Sequence, residues 1–284
     1  MSNALGAWSD AITAFTTAQG ASGVARTSIY TRRQHLQHIA ARVPYGPWEL
    51  TDEDLAGFMA SCDWARETRR GRLTTYRAFY GWAVKCGRTL TDPTASLDKV
   101  RPGDPNPRPV PDRVYLAALV QADDDERLWI DLAAEHGLRR AEIACIHARD
   151  IVETLVGHDL IVHGKGSKLR EVPLTAAMAR ALMDRAARLG GGYLFPGDED
   201  GHVSARWLGK RVNRLLDGDW TIHKLRHRAA TRFWVAAAGD PYVVADLMGW
   251  ASLQMVRTYV KLPDERKRSV VEAASRAGRS LVSP

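Results

Sequence analysis

The sequence predicts a mainly α-helical chain with one small antiparallel β-sheet, an α+β class, laid out as two domains joined by a linker. Three observations carry this. Apolar residues recur three and four apart over most of the chain, as at Leu73, Tyr76, Phe79, Tyr80 and Ala83, the period of a helix with one buried stripe. Residues 158–174, HDLIVHGKGSKLREVPL, instead alternate on either side of a Gly164-Lys165-Gly166 turn, as a hairpin does. Residues 101–111, RPGDPNPRPVP, hold five prolines and one glycine, which exclude both helix and sheet.

Residues 1–20 read as a short first helix, with Trp8, Ile12 and Phe15 near helical spacing. Thr27 is placed to cap a helix running to about Arg42, closed by Pro44 and Pro47. Thr51 and Asp54 form a capping-box pattern ahead of DLAGFMASC. Residues 65–87 read as a longer helix, with Gly87 where a terminating glycine belongs. Residues 1–100 are thus predicted to be a small all-helical domain. Between 64 and 88 lie seven Lys/Arg, at 66, 69, 70, 72, 77, 85 and 88, against the single acid Glu67. A solvated basic face explains such a run. However, cations in a first helical turn oppose the helix dipole, so Arg66, Arg69, Arg70 and Arg72 are expected to contact a phosphate backbone.

The proline-rich stretch reads as a semi-extended spacer of roughly 3 Å per residue. A second domain, 112–284, opens with the helices VYLAALVQA and ERLWIDLAAEHG, and Gly137 to Ile143 starts another. After the hairpin come the helix TAAMARALMDRAARL, a turn at GGYLFPG, and a basic amphipathic helix VSARWLGKRVNRLL. Arg206, Lys210 and Arg211 on that last helix are further candidates for DNA contact. A final helix over 264–277 carries Val270, Val271 and Ala274 on one side.

Composition narrows the function classes. The 284 residues are 45% hydrophobic, enough for a real core. Net charge is +7 with a pI near 9.5, and 32 of the 40 basic residues are Arg. A polyanionic partner fits, because the guanidinium fork pairs bidentately with phosphate; a GC-rich coding sequence also yields many arginines. Cys62, Cys86 and Cys145 are scattered, which argues against a zinc site or a disulfide framework. With no long apolar run and no leader-like segment, a membrane location is not expected, and a cytoplasmic one is.

The stretch 221–261 carries the chemistry. His223 and Arg226 stand one helical turn apart and share a face, where a phosphate would meet a guanidinium and an imidazole. Tyr259 has Arg257 and Lys261 two residues to either side. A phenol with a reference pKa of about 10 is a weak nucleophile, and surrounding cations favour its anion. H-x-x-R, then Gly249-Trp250, then Tyr259 nine residues on resembles the C-terminal signature of the tyrosine recombinases, the family of phage integrases, Xer-type resolvases and Cre. Gly137 to Glu142 matches the family's G-L-R-x-[S/A/G]-E segment and selects Arg139 over Arg140. Lys165 matches its hairpin-turn lysine, with Lys168 as competitor. Arg226 selects His223 over His227, and Tyr193 and Tyr242 lack the spacing of Tyr259. Trp250 departs from the commoner histidine; an indole donates a hydrogen bond but shuttles no proton. The likeness covers about residues 112–262.

The resemblance implies a two-domain, C-shaped clamp on double-stranded DNA core sites, working without cofactor or metal. Tyr259 would attack a phosphate to form a 3′-phosphotyrosyl link, with Lys165 protonating the 5′-oxygen that leaves. Arg139 and Arg226 would stabilise the phosphorane, His223 would orient or deprotonate Tyr259, and Glu142 would hold Arg139 or His223. Strand exchange through a Holliday junction implies a homotetramer on two duplexes, assembled through the last helix, and a possible directionality factor. Arm-less phage integrase in a bacterial cytoplasm, at the nucleoid, is the expected identity. The alternatives are a Xer or transposon resolvase, a type IB topoisomerase-like relaxing enzyme, and an inactive DNA-binding regulator.

Overall fold

The computed structural model describes residues 2–103, 106–164 and 168–260, with 268, 271, 272 and 275 beyond them, and leaves out the side chains of Ser2, Asn3, Arg257 and Tyr259. Lys165 and most of the expected helix 264–277 lie outside the described residues. The chain divides into two compact units, Met1–Asp104 and Pro105–Pro284.

The first unit is four helices: α1 (Ser2–Ala21), α2 (Arg26–Ala40), α3 (Asp52–Ser61) and α4 (Arg66–Lys85). Their apolar stripes meet around Phe79. Trp48 stacks on its ring at 5.7 Å and Phe15 meets it edge-on at 5.4 Å, with Trp8, Leu36, Ile39, Leu55, Tyr76 and Tyr80 sealed around them. Each aromatic pair adds about 0.5–1.5 kcal/mol beyond area burial. The capping box at α3 forms: Asp54 N donates to Thr51 Oγ1 at 3.1 Å, and Thr51 N to Asp54 Oδ2 at 3.0 Å. Gly87 ends α4 at φ +68°, which lets Arg88 N reach back to Ala83 O at 2.9 Å. Thr27 is not a cap. The helix begins at Arg26, and Thr27 sits inside its first turn, where its carbonyl accepts from Thr31 Oγ1.

The second unit opens with α5 (Asp112–Gln121), α6 (Asp124–Ala134) and the short α7 (Arg140–Ala144). A sheet follows, β1 (Ile151–Thr154), β2 (Gly157–His163) and β3 (Leu169–Leu174), antiparallel in the order β1-β2-β3. Its register pairs Ile151 with Leu160 and Leu160 with Val172. Leu160, Val162, Val172 and Leu174 are buried on one face, against the core, as the two-residue period of a strand requires. Then come α8 (Ala176–Leu189), the small β4 (Pro196–Glu199), α9 (Ala205–Leu215), α10 (Ile222–Ala236), α11 (Pro241–Met248) and α12 (Gln254–Tyr259). Thr175 caps α8, which ends on left-handed Gly190.

The ends of the proline-rich stretch are each held by their own unit. Gly103 N donates to Glu67 at 3.1 Å. Further on, Arg108 pairs with Asp219 at 2.9 Å, its guanidinium 5.1 Å over Trp220, and Val110 N donates to Lys224 O at 3.4 Å.

Candidate active site

The site is built on one glycine turn. Gly137, at φ +68°, lies so close to α10 and α11 that a Cβ there would stand 2.7 Å from Met248 Sδ; only glycine fits. The turn leaves Arg139 extended, just ahead of α7. Glu142, three residues on, reaches back: its carboxylate accepts from Arg139 N and from Arg139 Nη1, both at 2.7 Å. Arg170 of β3 grips the same carboxylate with Nη1 at 2.9 Å and Nη2 at 2.7 Å. Arg226 Nη1 lies 3.9 Å away. Burial by itself pushes the Glu142 carboxyl up, but the Arg170 bonds and charge, followed by Arg139, outweigh it and hold the group at about 2. Glu142 is therefore an anion at any working pH.

Helix α10 supplies the opposite wall. Arg226 is 1% exposed. Its Nη1 donates to Gly137 O and its Nη2 to Met248 O, so one guanidinium ties the α6–α7 turn to the end of α11. His223, one turn earlier, is exposed. Desolvation of its ring, then the charges of Arg226, Arg139 and Arg140, lower its pKa, so the imidazole is neutral at pH 7. His227 stands 5.0 Å from it, ring to ring, and is held at about 4 by burial and then by His223, Arg226 and Lys224. Between α7 and α10 opens a cleft of about 440 Å³ lined by Arg139, Arg140, Asn213, Thr221, His223 and Arg226 among others. His227 is not on that lining. Asn213 Oδ1 accepts from Ile222 N at 2.8 Å, capping α10 where the Thr221 side chain does not. The N-terminus of a 15-residue helix thus faces a cleft of guanidiniums, an arrangement that favours an anion.

Behind the cleft, tied to it through Arg226 and Arg170, lies the α11–α12 turn. Gly249 ends α11 at φ +60°, and a Cβ there would stand 2.8 Å from Arg170 Cδ. Trp250 N closes the turn on Ala245 O at 2.8 Å. The Trp250 ring is buried, packed with Ala230, Val244, Met248, Val256 and Val260. Arg170 Nε donates to Leu247 O at 3.2 Å. Tyr259 is the last residue of α12.

The structure therefore brings Arg139, Arg226 and His223 to one cleft, with Glu142 behind them and the Trp250 turn tied to the same frame. The arginines expected on DNA differ in what they do. Arg66, Arg206 and Lys210 are exposed. Arg70 is exposed and pairs with Glu67 at 2.9 Å. Arg69 donates to Met59 O at 2.7 Å and Cys62 O at 3.0 Å, closing the end of α3. Arg72 lies 4.4 Å over Trp64. Arg211 bonds Glu126 at 2.6 Å and Asp123 at 3.0 Å. Two residues of the frame went unnoticed in the sequence, Arg170 and Asn213. Arg170 did leave a signal: it shares the inward face of β3 with Val172 and Leu174, where an arginine needs a buried partner.

Among the described residues, no group of three or more His, Cys, Asp or Glu side chains is placed to hold a metal ion, and no helix is long and apolar enough to cross a membrane. Residues 114–266 match the Phage integrase family. Tyrosine recombinase XerC of Xylella fastidiosa (strain 9a5c) is 29% identical over 273 residues, covering 87% of this chain and 91% of that protein. The same-named protein of Mycobacterium bovis (strain BCG / Pasteur 1173P2) is 32% identical over 238 residues, covering 74% and 77%. Among solved structures, a lambda integrase tetramer bound to a Holliday junction aligns with a TM-score of 0.72 at 17% identity, covering 90% of this chain and 77% of that one. The XerH recombinase in its post-cleavage complex with palindromic difH aligns at 0.68 and 18% identity, covering 89% and 80%.

Proposed function

The chain is a tyrosine site-specific recombinase of the phage integrase family, and from that premise we propose how its own residues cut and rejoin DNA. A scissile phosphate occupies the cleft at the N-terminus of α10. Arg139 and Arg226 neutralise its non-bridging oxygens as the pentacoordinate state forms. Neutral His223 accepts the Tyr259 proton while the phenolic oxygen bonds phosphorus. The bond from phosphorus to the 5′-oxygen breaks, and Lys165 gives that oxygen its proton. A 5′-hydroxyl from the partner strand later attacks the phosphotyrosine and releases Tyr259. The link conserves the phosphodiester energy, so no nucleotide is consumed. Trp250 holds the pocket wall and carries no proton. Single losses of such donors cost about 10²–10³ in rate.

The observation that carries this reading is the convergence of Arg139, Arg226, neutral His223 and the α10 N-terminus on one cleft. The remaining roles follow the same reading. The unit Met1–Asp104 and the exposed Arg66, Arg206 and Lys210 contact the duplex backbone. Four protomers act on two duplexes through a Holliday junction, the segment 264–277 docking on a neighbour, with direction set by an accessory factor. The setting is the cytoplasm of a bacterial host, at its nucleoid, in the service of phage integration.

The test mixes the protein with a pooled library of nicked duplexes in a chelating buffer and isolates SDS-resistant, protease-sensitive DNA. Nicks let the short 5′ fragment leave and trap the covalent state. Adduct from the wild type and none from Tyr259→Phe supports the assignment, and the trapped strands give the core site. Adduct from the Phe variant overturns it. Relaxation of plasmids lacking that site, with no strand exchange, favours a type IB relaxing enzyme.

A further inference from the structure

We infer that Arg170 of β3 is a positioning residue for strand cleavage, setting Arg139 and Arg226 for the phosphate by holding Glu142 and the Leu247–Trp250 turn in one frame. The inference rests on the reading of this cleft as the cleavage site. Arg170 has no view of DNA: its side chain is 10% exposed. All three guanidinium nitrogens are engaged inward, Nη1 and Nη2 on the two oxygens of Glu142 and Nε on Leu247 O. The turn is moulded to it, since Gly249 leaves no room for a methyl beside Arg170 Cδ. Lysine cannot reproduce this, because a single ammonium offers no planar fork.

Charge explains why such a residue is needed. The Glu142 carboxylate is in reach of three guanidiniums: Arg139 at 2.7 Å, Arg170 at 2.7 Å and Arg226 at 3.9 Å. Arg170 alone among them is not on the cleft lining. It neutralises the anion, so that the two arginines on the lining keep their charge for the phosphate. Without it, one carboxylate would face the two cleft arginines alone and tie Arg139, already bonded to it at 2.7 Å, more firmly to α7. The charged groups around Glu142 can be named by element. α7 and its cap bring Arg139 and, against Gly209 of α9, Arg140; β3 brings Arg170; α10 brings Arg226 and, beyond it, His223; α11 brings the carbonyl of Leu247 through Arg170. Every group in that set is cationic or neutral, which agrees with a carboxyl held at about 2.

The experiment uses the full chain as wild type, Arg170→Lys, Arg170→Gln and the double variant Arg170→Gln/Glu142→Gln. The probe is a nicked duplex carrying the core site recovered from the pool. Arg170→Gln is expected to bind this duplex within about twofold of wild type and to form adduct about 10- to 100-fold more slowly, the range for losing a partner that orients a reacting group. Its rate gains a new acid limb as Glu142 begins to titrate. Arg170→Lys restores little. The double variant recovers about tenfold over Arg170→Gln and loses the acid limb, because the stranded anion is gone. An independent readout needs no DNA: in ¹³C-glutamate-labelled protein, with Glu142→Gln assigning the resonance, the Glu142 carboxyl stays ionised at pH 4 in wild type and titrates above it in Arg170→Gln.

The inference is overturned if Arg170→Gln cleaves at the wild-type rate with Glu142 still ionised. It is equally overturned if single and double variants lose the same activity with unchanged pH profiles, the mark of packing alone. Should Arg170→Gln fail to fold, Arg170→Lys carries both readouts and the neutral double variant carries the cleavage rate and its pH profile. A wild type that forms no adduct sinks the cleavage reading, while the ¹³C titration still decides whether Arg170 holds Glu142.

Discussion

Arg226, proposed above as a phosphate ligand, is also placed to hold the fold, and this sets the expected cost of removing it. Arg226→Ala leaves Gly137 O and Met248 O without the N–H donors they now receive. Each stranded buried acceptor costs about 1–3 kcal/mol. Glu142 also loses a cation at 3.9 Å, a smaller effect because Arg139 and Arg170 remain on it. The sum is about 4 kcal/mol, within the range of about 3–5 kcal/mol seen when a buried charged group loses its partner. For a unit of this size, about 2–4 °C accompanies each kcal/mol, so the second unit should melt about 10 °C lower. Arg226→Lys retains the charge and at most one carbonyl, and should fall about halfway. The assay is thermal and urea denaturation of the full chain by circular dichroism. Phe79→Ala, which perturbs only the first unit at a cost of about 3–5 kcal/mol, identifies which transition belongs to which unit. A melting point for Arg226→Ala within 2 °C of wild type would refute the argument that this guanidinium staples the turns.

Other outcomes are equally open to measurement. Tyr259→Phe should retain DNA affinity in a gel-shift titration and yield no SDS-resistant adduct on nicked duplexes. Gly249→Ala forces a Cβ against Arg170 Cδ at 2.8 Å and keeps a left-handed φ of +60°; it should lose at least 1–2 kcal/mol and most cleavage activity, and a fully active variant would contradict the close approach. His227 is held near 4 by burial, against about 6.5 in an unfolded chain. The unfolded state binds the proton first as pH falls, so stability is fully present above about pH 6.5, is lost on the way down to about 4, and levels off below. Urea midpoints at pH 7 and pH 5 should differ less in His227→Asn than in wild type. Arg206→Ala and Lys210→Ala should each lower the salt slope of DNA binding by about one; an unchanged slope removes them from the backbone contacts.

Much of this arrangement was legible before any coordinates. Most helices of both units announced themselves through apolar periodicity and punctuation, as with Thr51 and Gly87, while α11 and α12 were not separately foreseen. The order of His223, Arg226, Gly249-Trp250 and Tyr259 was enough to suggest the family, and Arg139 and Lys165 then fell into its pattern. What stayed hidden has physical causes. β1 escaped notice because it is four residues long and turns into β2 through exposed Leu155 and Val156 rather than an Asn-Gly type turn. β4, Pro-Gly-Asp-Glu, is fully exposed and carries no apolar alternation at all. Among the basic residues, sequence shows charge but not its counterpart. Arg69 closes a helix end, Arg72 covers Trp64, and Arg211 answers Glu126 and Asp123 from 85 and 88 residues away. Arg170 was similarly hidden, since its partners, Glu142 and Leu247, are distant in sequence and meet it only when β3 is laid against α7 and α11.

The double duty proposed for Arg226 bears on how copies of this enzyme fail. If Tyr259 is the nucleophile proposed above, a protomer that loses it should remain folded, compete for core sites, and occupy a place in any assembly it enters without contributing a cut. A protomer that loses Arg226 loses the clasp between two glycine turns as well as the proposed phosphate ligand, and by the cost worked out above it is a destabilised chain, more often unfolded and open to clearance. On that proposal, damage at the nucleophile should be dominant over intact partners, whereas damage at this arginine should tend towards recessive. Under that proposal, the wiring of one side chain into the backbone makes the most harmful kind of broken copy, folded but inert, easier to reach from one end of the candidate site than from the other.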